Sequence, residues 1–124
     1  MNLHSGYPYS MVKHGLPFDY PKLEKSISTD VIVMGGGISG ALTAYYLVNA
    51  GVDCIVIDRR TIGLGSTCSS TSLLQYEIDN PLCKLAEQIG EQSAGRAYQL
   101  CGEAILKLEK IAKKIKCEDF QLKP

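Results

Sequence analysis

The chain has 124 residues, of which 45% are hydrophobic and 21% are charged, and its 13 basic residues equal its 13 acidic residues in number. This length fits one domain, and the composition is ordinary for a globular protein. The balanced charge gives no reason to expect nucleic acid or an anionic membrane surface as a partner.

The first 28 residues have the composition of an irregular N-terminal arm. Pro8, Pro17 and Pro21 each fix φ and remove a hydrogen-bond donor. We therefore predict an extended arm over residues 1–28 rather than a helix. The first 13 residues contain no apolar run of signal-peptide length. The most apolar stretch, Val31–Val48, is interrupted by four glycines, so we predict no membrane span.

Residues 29–58 predict two parallel strands joined by a helix. Val31–Met34 is a short continuous apolar run, which favours a strand buried on both faces of a parallel sheet. Ile38–Ala50 predicts a helix because it is rich in Ala, Leu and Tyr, and the following Gly51 suits the left-handed position after a helix. Cys54–Ile57 predicts a second buried strand. The predicted fold class is therefore α/β, built on a βαβ unit.

Helices dominate the prediction for the second half of the chain. We predict one short helix near Ser69–Gln75, a helix over Pro81–Ile89 and a long amphipathic helix over Glu91–Lys116. Cys117–Pro124 has the pattern of an opening strand, but no third buried apolar run is present, so the parallel sheet is incomplete over this chain. The apolar face of the long helix consists of residues at three- and four-residue steps: Ala94, Tyr98, Cys101, Ile105, Leu108, Ile111 with Ala112, and Ile115.

The five cysteines form neither a metal-binding nor a disulfide pattern. They lie well apart in sequence, without a Cys-x-x-Cys pair, and the chain has two histidines. We therefore predict no metal site and no disulfide scaffold. Reduced thiols favour a cytoplasmic location. His4 and His14 lie in the arm, where we expect them to be exposed to solvent rather than catalytic, and no catalytic residue is assigned.

A glycine-rich motif lies between the first predicted strand and the helix. The run Gly35-Gly36-Gly37-Ile38-Ser39-Gly40 fits G-x-G-x-x-G, and Asp58 ends the second strand eighteen residues later. Gly35 permits a tight turn, Gly37 lets a pyrophosphate approach the backbone, and Gly40 lets helix and strand pack closely. Free N–H groups of the first helical turn hold phosphate anions. Asp58 can accept hydrogen bonds from the ribose hydroxyl groups, and its charge repels a 2′-phosphate. The motif therefore predicts an NAD or FAD site.

The segment after the acid narrows the choice of dinucleotide. Gly63–Leu74 is rich in Gly, Ser and Thr and follows Asp58-Arg59-Arg60 closely. This order resembles the D-amino-acid oxidase superfamily of FAD-dependent oxidoreductases, which includes glycine oxidase and glutamylputrescine oxidase. The lead-in, with Ser5–Pro8 and Ser28–Val31, and the stretch Gln75–Asp79 resemble the bacterial members. The resemblance covers nearly the whole chain.

The resemblance implies a Rossmann-like FAD-binding unit, of which residues 29–124 are the N-terminal part, with the substrate domain absent. For the intact protein it implies oxidation of the C–N bond of a small amine or amino acid by hydride transfer to the flavin. Residues 1–124 alone are expected to lack this activity. The FAD contacts it implies are Ile38 and Ser39 at the pyrophosphate, Asp58 at the ribose, Arg59 near the adenine, Ser66 and Thr67 flanking the pyrophosphate, and Thr71, Ser72 and Leu73 toward the flavin.

Two alternatives stay open. The glycine motif also serves NAD-dependent dehydrogenases, so the chain is alternatively the nucleotide-binding segment of such an enzyme. A non-catalytic truncated product is the other alternative. The chain also departs from the superfamily at Thr71–Ser72, where relatives often carry a glycine.

Overall fold

A computed structural model describes residues 6–15, 18–77 and 79–121. The chain divides into two compact units, with the boundary between Thr71 and Ser72. This boundary lies inside residues 29–124, which we predict from the sequence to be one part of an FAD-binding domain. The first unit contains a sheet and its helices, and the second contains two helices. In chain order the elements are α1 (Tyr9–His14), β1 (Val31–Met34), α2 (Ile38–Asn49), β2 (Cys54–Ile57), a 3₁₀ helix (Ser66–Ser69), α3 (Leu82–Ile89) and α4 (Glu91–Lys114).

The first unit is built on a parallel two-stranded sheet. β1 and β2 pair with Val31 opposite Cys54 and Met34 opposite Ile57, and α2 connects them and packs on both. This confirms the predicted α/β class at the level of a small parallel sheet. α2 ends one residue before the predicted bound, and the next turn passes through Gly51 with φ 76°.

The prediction that β1 is buried on both faces is wrong. Val33 is buried, but Ile32 is 60% exposed and Met34 is 84% exposed. Successive side chains of a strand point to opposite faces of the sheet, so β1 has one covered face and one open face. α2 packs on the face that carries Val33, and the described part of the first unit places no second helix on the other. An apolar run in sequence does not reveal how many layers cover it.

A short helix interrupts the N-terminal arm, where we predict extended chain. α1 begins after Pro8, whose carbonyl oxygen accepts the N–H groups of Met11 at 3.0 Å and Val12 at 3.2 Å. Proline is compatible with a helix start because the first N–H groups have no partner inside the helix. Residues 18–28 contain neither helix nor strand, and residues 1–5, 16 and 17 lie outside the described part of the arm.

The second unit is a pair of packed helices. α3 and α4 match the predicted positions, although α3 begins after Pro81 and α4 ends at Lys114. The predicted short helix at Ser69–Gln75 is wrong, since residues 70–77 carry no helix. The predicted strand does not form over residues 117–121, and residues 122–124 lie outside the description. The predicted apolar face of α4 is buried or half-buried at Ala94, Tyr98, Cys101, Ile105, Leu108, Ile111 and Ala112, whereas Ile115 is exposed.

Lys116, two residues after the end of α4, has a left-handed conformation with φ 56°. The N–H of Lys116 donates to the carbonyl of Lys113 at 3.2 Å, and that of Cys117 donates to the carbonyl of Ala112 at 2.9 Å. This pair of bonds defines a helix end that glycine adopts without strain, whereas a β-carbon costs about 1–2 kcal/mol there.

We expect Lys116→Gly to raise the free energy of unfolding by about 0.5–1 kcal/mol, because the relief of strain outweighs the added freedom of the unfolded chain. Urea unfolding followed by helix circular dichroism measures the change. Lys110→Gly, at an exposed position inside α4, is the control and should lower stability by about 1 kcal/mol. Equal losses in the two variants would contradict the assigned helix end.

Candidate functional site

The glycine turn joins β1 to α2 through very close backbone contacts. Gly35 has φ 110°, and its N–H donates to the carbonyl of Ile57 at 2.8 Å. A β-carbon on Gly40 would overlap the carbonyl oxygen of Gly35 and lie 3.4 Å from Cγ1 of Val33. α2 therefore rests directly on the turn, as the spacing of the motif predicts.

The N-terminus of α2 carries uncommitted hydrogen-bond donors. Within the described residues, the N–H groups of Ser39 and Gly40 have no acceptor, and the first turn of α2 contains no acidic residue. The N–H of Ile38 donates to Oγ1 of Thr67 at 3.0 Å. The same hydroxyl lies 2.8 Å from the position of a β-carbon on Gly37. Free N–H groups at the positive end of a helix suit an anion.

Asp58 lies beside this turn and is anchored by backbone donors. Its Oδ1 accepts the N–H of Arg60 at 2.8 Å, and its Oδ2 accepts the N–H of Gly36 at 2.7 Å. The bond from Arg60 and then the bond from Gly36 hold the pKa of the Asp58 carboxyl below its usual value. Asp58 is exposed and ionised at neutral pH. Each carboxylate oxygen keeps lone pairs that can accept further hydrogen bonds from a ligand.

The loop after β2 folds back onto the glycine turn. The N–H of Gly63 donates to the carbonyl of Gly36 at 3.1 Å, and the side chain of Ile62 lies over Gly36. The sequence prediction missed both loop residues as well as Gly36. Within Gly35–Gly37 the motif requires glycine only at the first and third positions. The additional glycine at position 36 is therefore a signal in the sequence. Gly63 begins the Gly-, Ser- and Thr-rich segment of the sequence, whereas no local pattern distinguishes Ile62.

The other predicted contact residues are distributed over both units. Arg59 is exposed next to Asp58, Ser66 begins the 3₁₀ helix and Thr71 ends the first unit. Ser72 and Leu73 belong to the second unit, so their place near a flavin stays a prediction. Ser72 has φ 59°, a conformation that favours glycine. Members of the D-amino-acid oxidase superfamily often have a glycine near this position.

Other kinds of site have no support among the described residues. They contain no group of three or more His, Cys, Asp or Glu side chains that could hold a metal ion. None of their helices is both long and apolar enough to cross a membrane. The glycine turn itself carries backbone donors, the hydroxyl of Thr67 and the carboxylate of Asp58.

Three curated relatives match parts of the chain. One subunit of the anaerobic glycerol-3-phosphate dehydrogenase of Haemophilus influenzae is 47% identical over 40% of this chain and 9% of its own length. The gamma-glutamylputrescine oxidoreductase of Escherichia coli is 38% identical over 51% of this chain and 14% of its own length. A putative Rieske 2Fe-2S iron-sulfur protein of Bacillus subtilis is 28% identical over 69% of this chain and 17% of its own length. The chain thus spans less than a fifth of each relative.

The family comparison covers far more of the chain. No solved structure matches the chain. The model of the FAD-dependent oxidoreductase family matches residues 30–123, which include the glycine turn, Asp58 and both helices of the second unit. FAD is the cofactor of this family. The chain therefore belongs to the D-amino-acid oxidase family of FAD-dependent oxidoreductases, in agreement with the resemblance in its sequence.

Proposed function

We propose that the first unit is a Rossmann-like site for the ADP half of FAD, with the pyrophosphate at the N-terminus of α2 and the ribose at Asp58. The observation that carries the proposal is the 2.7 Å bond from the Gly36 N–H to Asp58. Because Gly36 lies two residues before α2, this bond holds a ribose-binding carboxylate beside the free donors of Ser39 and Gly40. The hydroxyl of Thr67 contacts the same turn from the loop, and we propose that the adjacent Ser66 approaches the pyrophosphate with it.

The chemistry of these groups fits the ADP half of FAD. A pyrophosphate is an anion, and the N-terminus of α2 offers free N–H groups without an acidic side chain in its first turn. Ribose hydroxyls are donors, and Asp58 is an ionised acceptor with lone pairs to spare. When FAD is bound, it supplies the hydride acceptor, while the protein supplies binding, orientation and electrostatics.

For the intact protein we propose oxidation of the C–N bond of a small amine or amino acid. The support is the 38% identity to the Escherichia coli gamma-glutamylputrescine oxidoreductase. The Haemophilus influenzae relative is named for glycerol 3-phosphate, so family membership alone does not select an amine. No residue of this chain is assigned a role in the substrate reaction.

We expect the protein to bind FAD at least about tenfold more tightly than NADP, because the Asp58 carboxylate repels a 2′-phosphate. Asp58→Ala should weaken FAD binding about tenfold or more, since it removes hydrogen bonds to a charged acceptor. Fluorescence titration with both cofactors measures these affinities. Asp53→Ala is the matched control, because it removes an exposed carboxylate at the opposite end of β2. NADP binding that is tighter than FAD binding, and that improves further in Asp58→Ala, would refute the assignment.

A further inference from the structure

We propose that Gly36 and Ile62 form a coupled pair that positions the Asp58 carboxylate for the adenosine ribose, with Ile62 acting as a positioning residue. This inference rests on the proposed function of the same site. It assigns a role to a position that the G-x-G-x-x-G motif leaves open and to a loop residue outside the motif.

Gly36 uses both of its backbone polar groups to hold the segment after β2. Its N–H donates to Oδ2 of Asp58 at 2.7 Å, and its carbonyl accepts the N–H of Gly63 at 3.1 Å. Gly36 is buried, in contrast to its exposed partner Asp58. Both bonds therefore depend on the loop lying close against the glycine turn.

Ile62 occupies the space that a side chain at position 36 would need. A β-carbon on Gly36 would lie 2.8 Å from Cγ1 of Ile62 and 3.3 Å from both Cδ1 and Cγ2. The motif accepts any residue at this position, so the phosphate does not impose a glycine there. The requirement comes instead from Ile62, which packs on the bare α-carbon.

The contact between Gly36 and Ile62 affects ribose recognition through Asp58. The carboxylate is fixed at Oδ2 by Gly36 and at Oδ1 by the N–H of Arg60. A residue at position 36 that displaces Ile62 pulls the loop away from the turn and lengthens the Oδ2 bond. The carboxylate then loses its fixed orientation, while the N–H groups of Ser39 and Gly40 remain available to phosphate.

The test compares the binding of ADP and 2′-deoxy-ADP by equilibrium dialysis, because the two ligands differ in one ribose hydroxyl. We expect wild type to prefer ADP about tenfold, which is the usual effect of one hydrogen bond to a charged acceptor. Gly36→Ala should reduce the preference to less than about twofold. Gly36→Ala combined with Ile62→Ala, which removes all three crowding carbons, should restore most of it, as expected for directly coupled residues. Ile62→Val, which keeps Cγ1 and Cγ2, should behave as wild type.

The pH profile of ADP affinity gives a readout that a merely structural role would not move. Backbone N–H bonds lower the pKa of Asp58, so on acidification the wild-type affinity should fall at a lower pH than it would with an aspartate that lacks these bonds. Gly36→Ala lengthens and weakens one of these bonds, which raises the pKa of Asp58 and shifts the fall in affinity to higher pH. The double variant should return toward the wild-type profile.

Each result decides the inference. A Gly36→Ala protein that keeps the wild-type preference for ADP overturns it. A Gly36→Ala protein that loses its circular dichroism signal, and that Ile62→Ala does not rescue, also overturns it. Failure of the wild-type chain to bind ADP rejects the proposed function and the inference together. Tight ADP binding without coupling between the two positions rejects the inference alone.

Discussion

Replacement of Gly40 by alanine is expected to lower the free energy of unfolding of the first unit by about 3 kcal/mol or more. The added β-carbon would overlap the carbonyl oxygen of Gly35 and press against Cγ1 of Val33. The oxygen belongs to the backbone, so no side-chain rotation relieves the overlap, and α2 must move away from β1. Urea unfolding monitored by circular dichroism measures the loss.

Two glycines in α4 provide controls for this substitution. A β-carbon at Gly95 or Gly102 meets no other atom within 4 Å, and both residues lie inside the helix. Alanine at either position should therefore raise the free energy of unfolding by about 0.5–1 kcal/mol, because glycine is a poor helix former. Wild-type stability in Gly40→Ala would show that α2 does not rest on the turn.

Gly37→Val is expected to weaken FAD binding by about 100-fold or more while the sheet and α2 persist. A β-carbon on Gly37 lies 2.8 Å from Oγ1 of Thr67, beside the N–H of Ile38. The valine side chain would therefore fill the space where we propose the pyrophosphate. The expected loss corresponds to about two hydrogen bonds to a charged group. Quenching of flavin fluorescence measures the affinity, and far-ultraviolet circular dichroism verifies the fold.

A second variant separates the two ways in which Gly37→Val could act. Thr67→Ala removes the hydroxyl nearest to the new side chain but leaves the valine in the path of the phosphate. Gly37→Val combined with Thr67→Ala should therefore remain defective in FAD binding. Wild-type affinity in Gly37→Val alone would place the phosphate elsewhere, and recovery in the double variant would assign the defect to displacement of Thr67.

The elements that local sequence determines were predicted well. Val31–Met34 and Cys54–Ile57 form strands with the predicted bounds. α2 begins at the predicted residue and ends one residue early, because the glycine motif and Gly51 mark its two ends. A continuous apolar run and glycines at fixed positions are signals within a few residues of the element they specify.

Features that depend on distant residues were not predicted. The exposure of Ile32 and Met34 reflects which elements pack on each face of the sheet, and the apolar run contains no information on that. The family resemblance assigns both Ile38 and Thr67 to the pyrophosphate, but their hydrogen bond joins residues 29 positions apart, so no local pattern specifies it. The contact of Ile62 with Gly36 is equally non-local, so single-sequence patterns do not reveal it.

We propose that the N-terminus of α2 and Asp58 hold the ADP half of FAD. Competition between FAD and its two halves is the direct test, with the FAD retained by the protein after equilibrium dialysis quantified by chromatography. We expect that ADP displaces FAD and that FMN at the same concentration does not, because the α2 donors and Asp58 recognise the diphosphate and the adenosine ribose. Displacement by FMN without displacement by ADP would contradict the proposed ADP site.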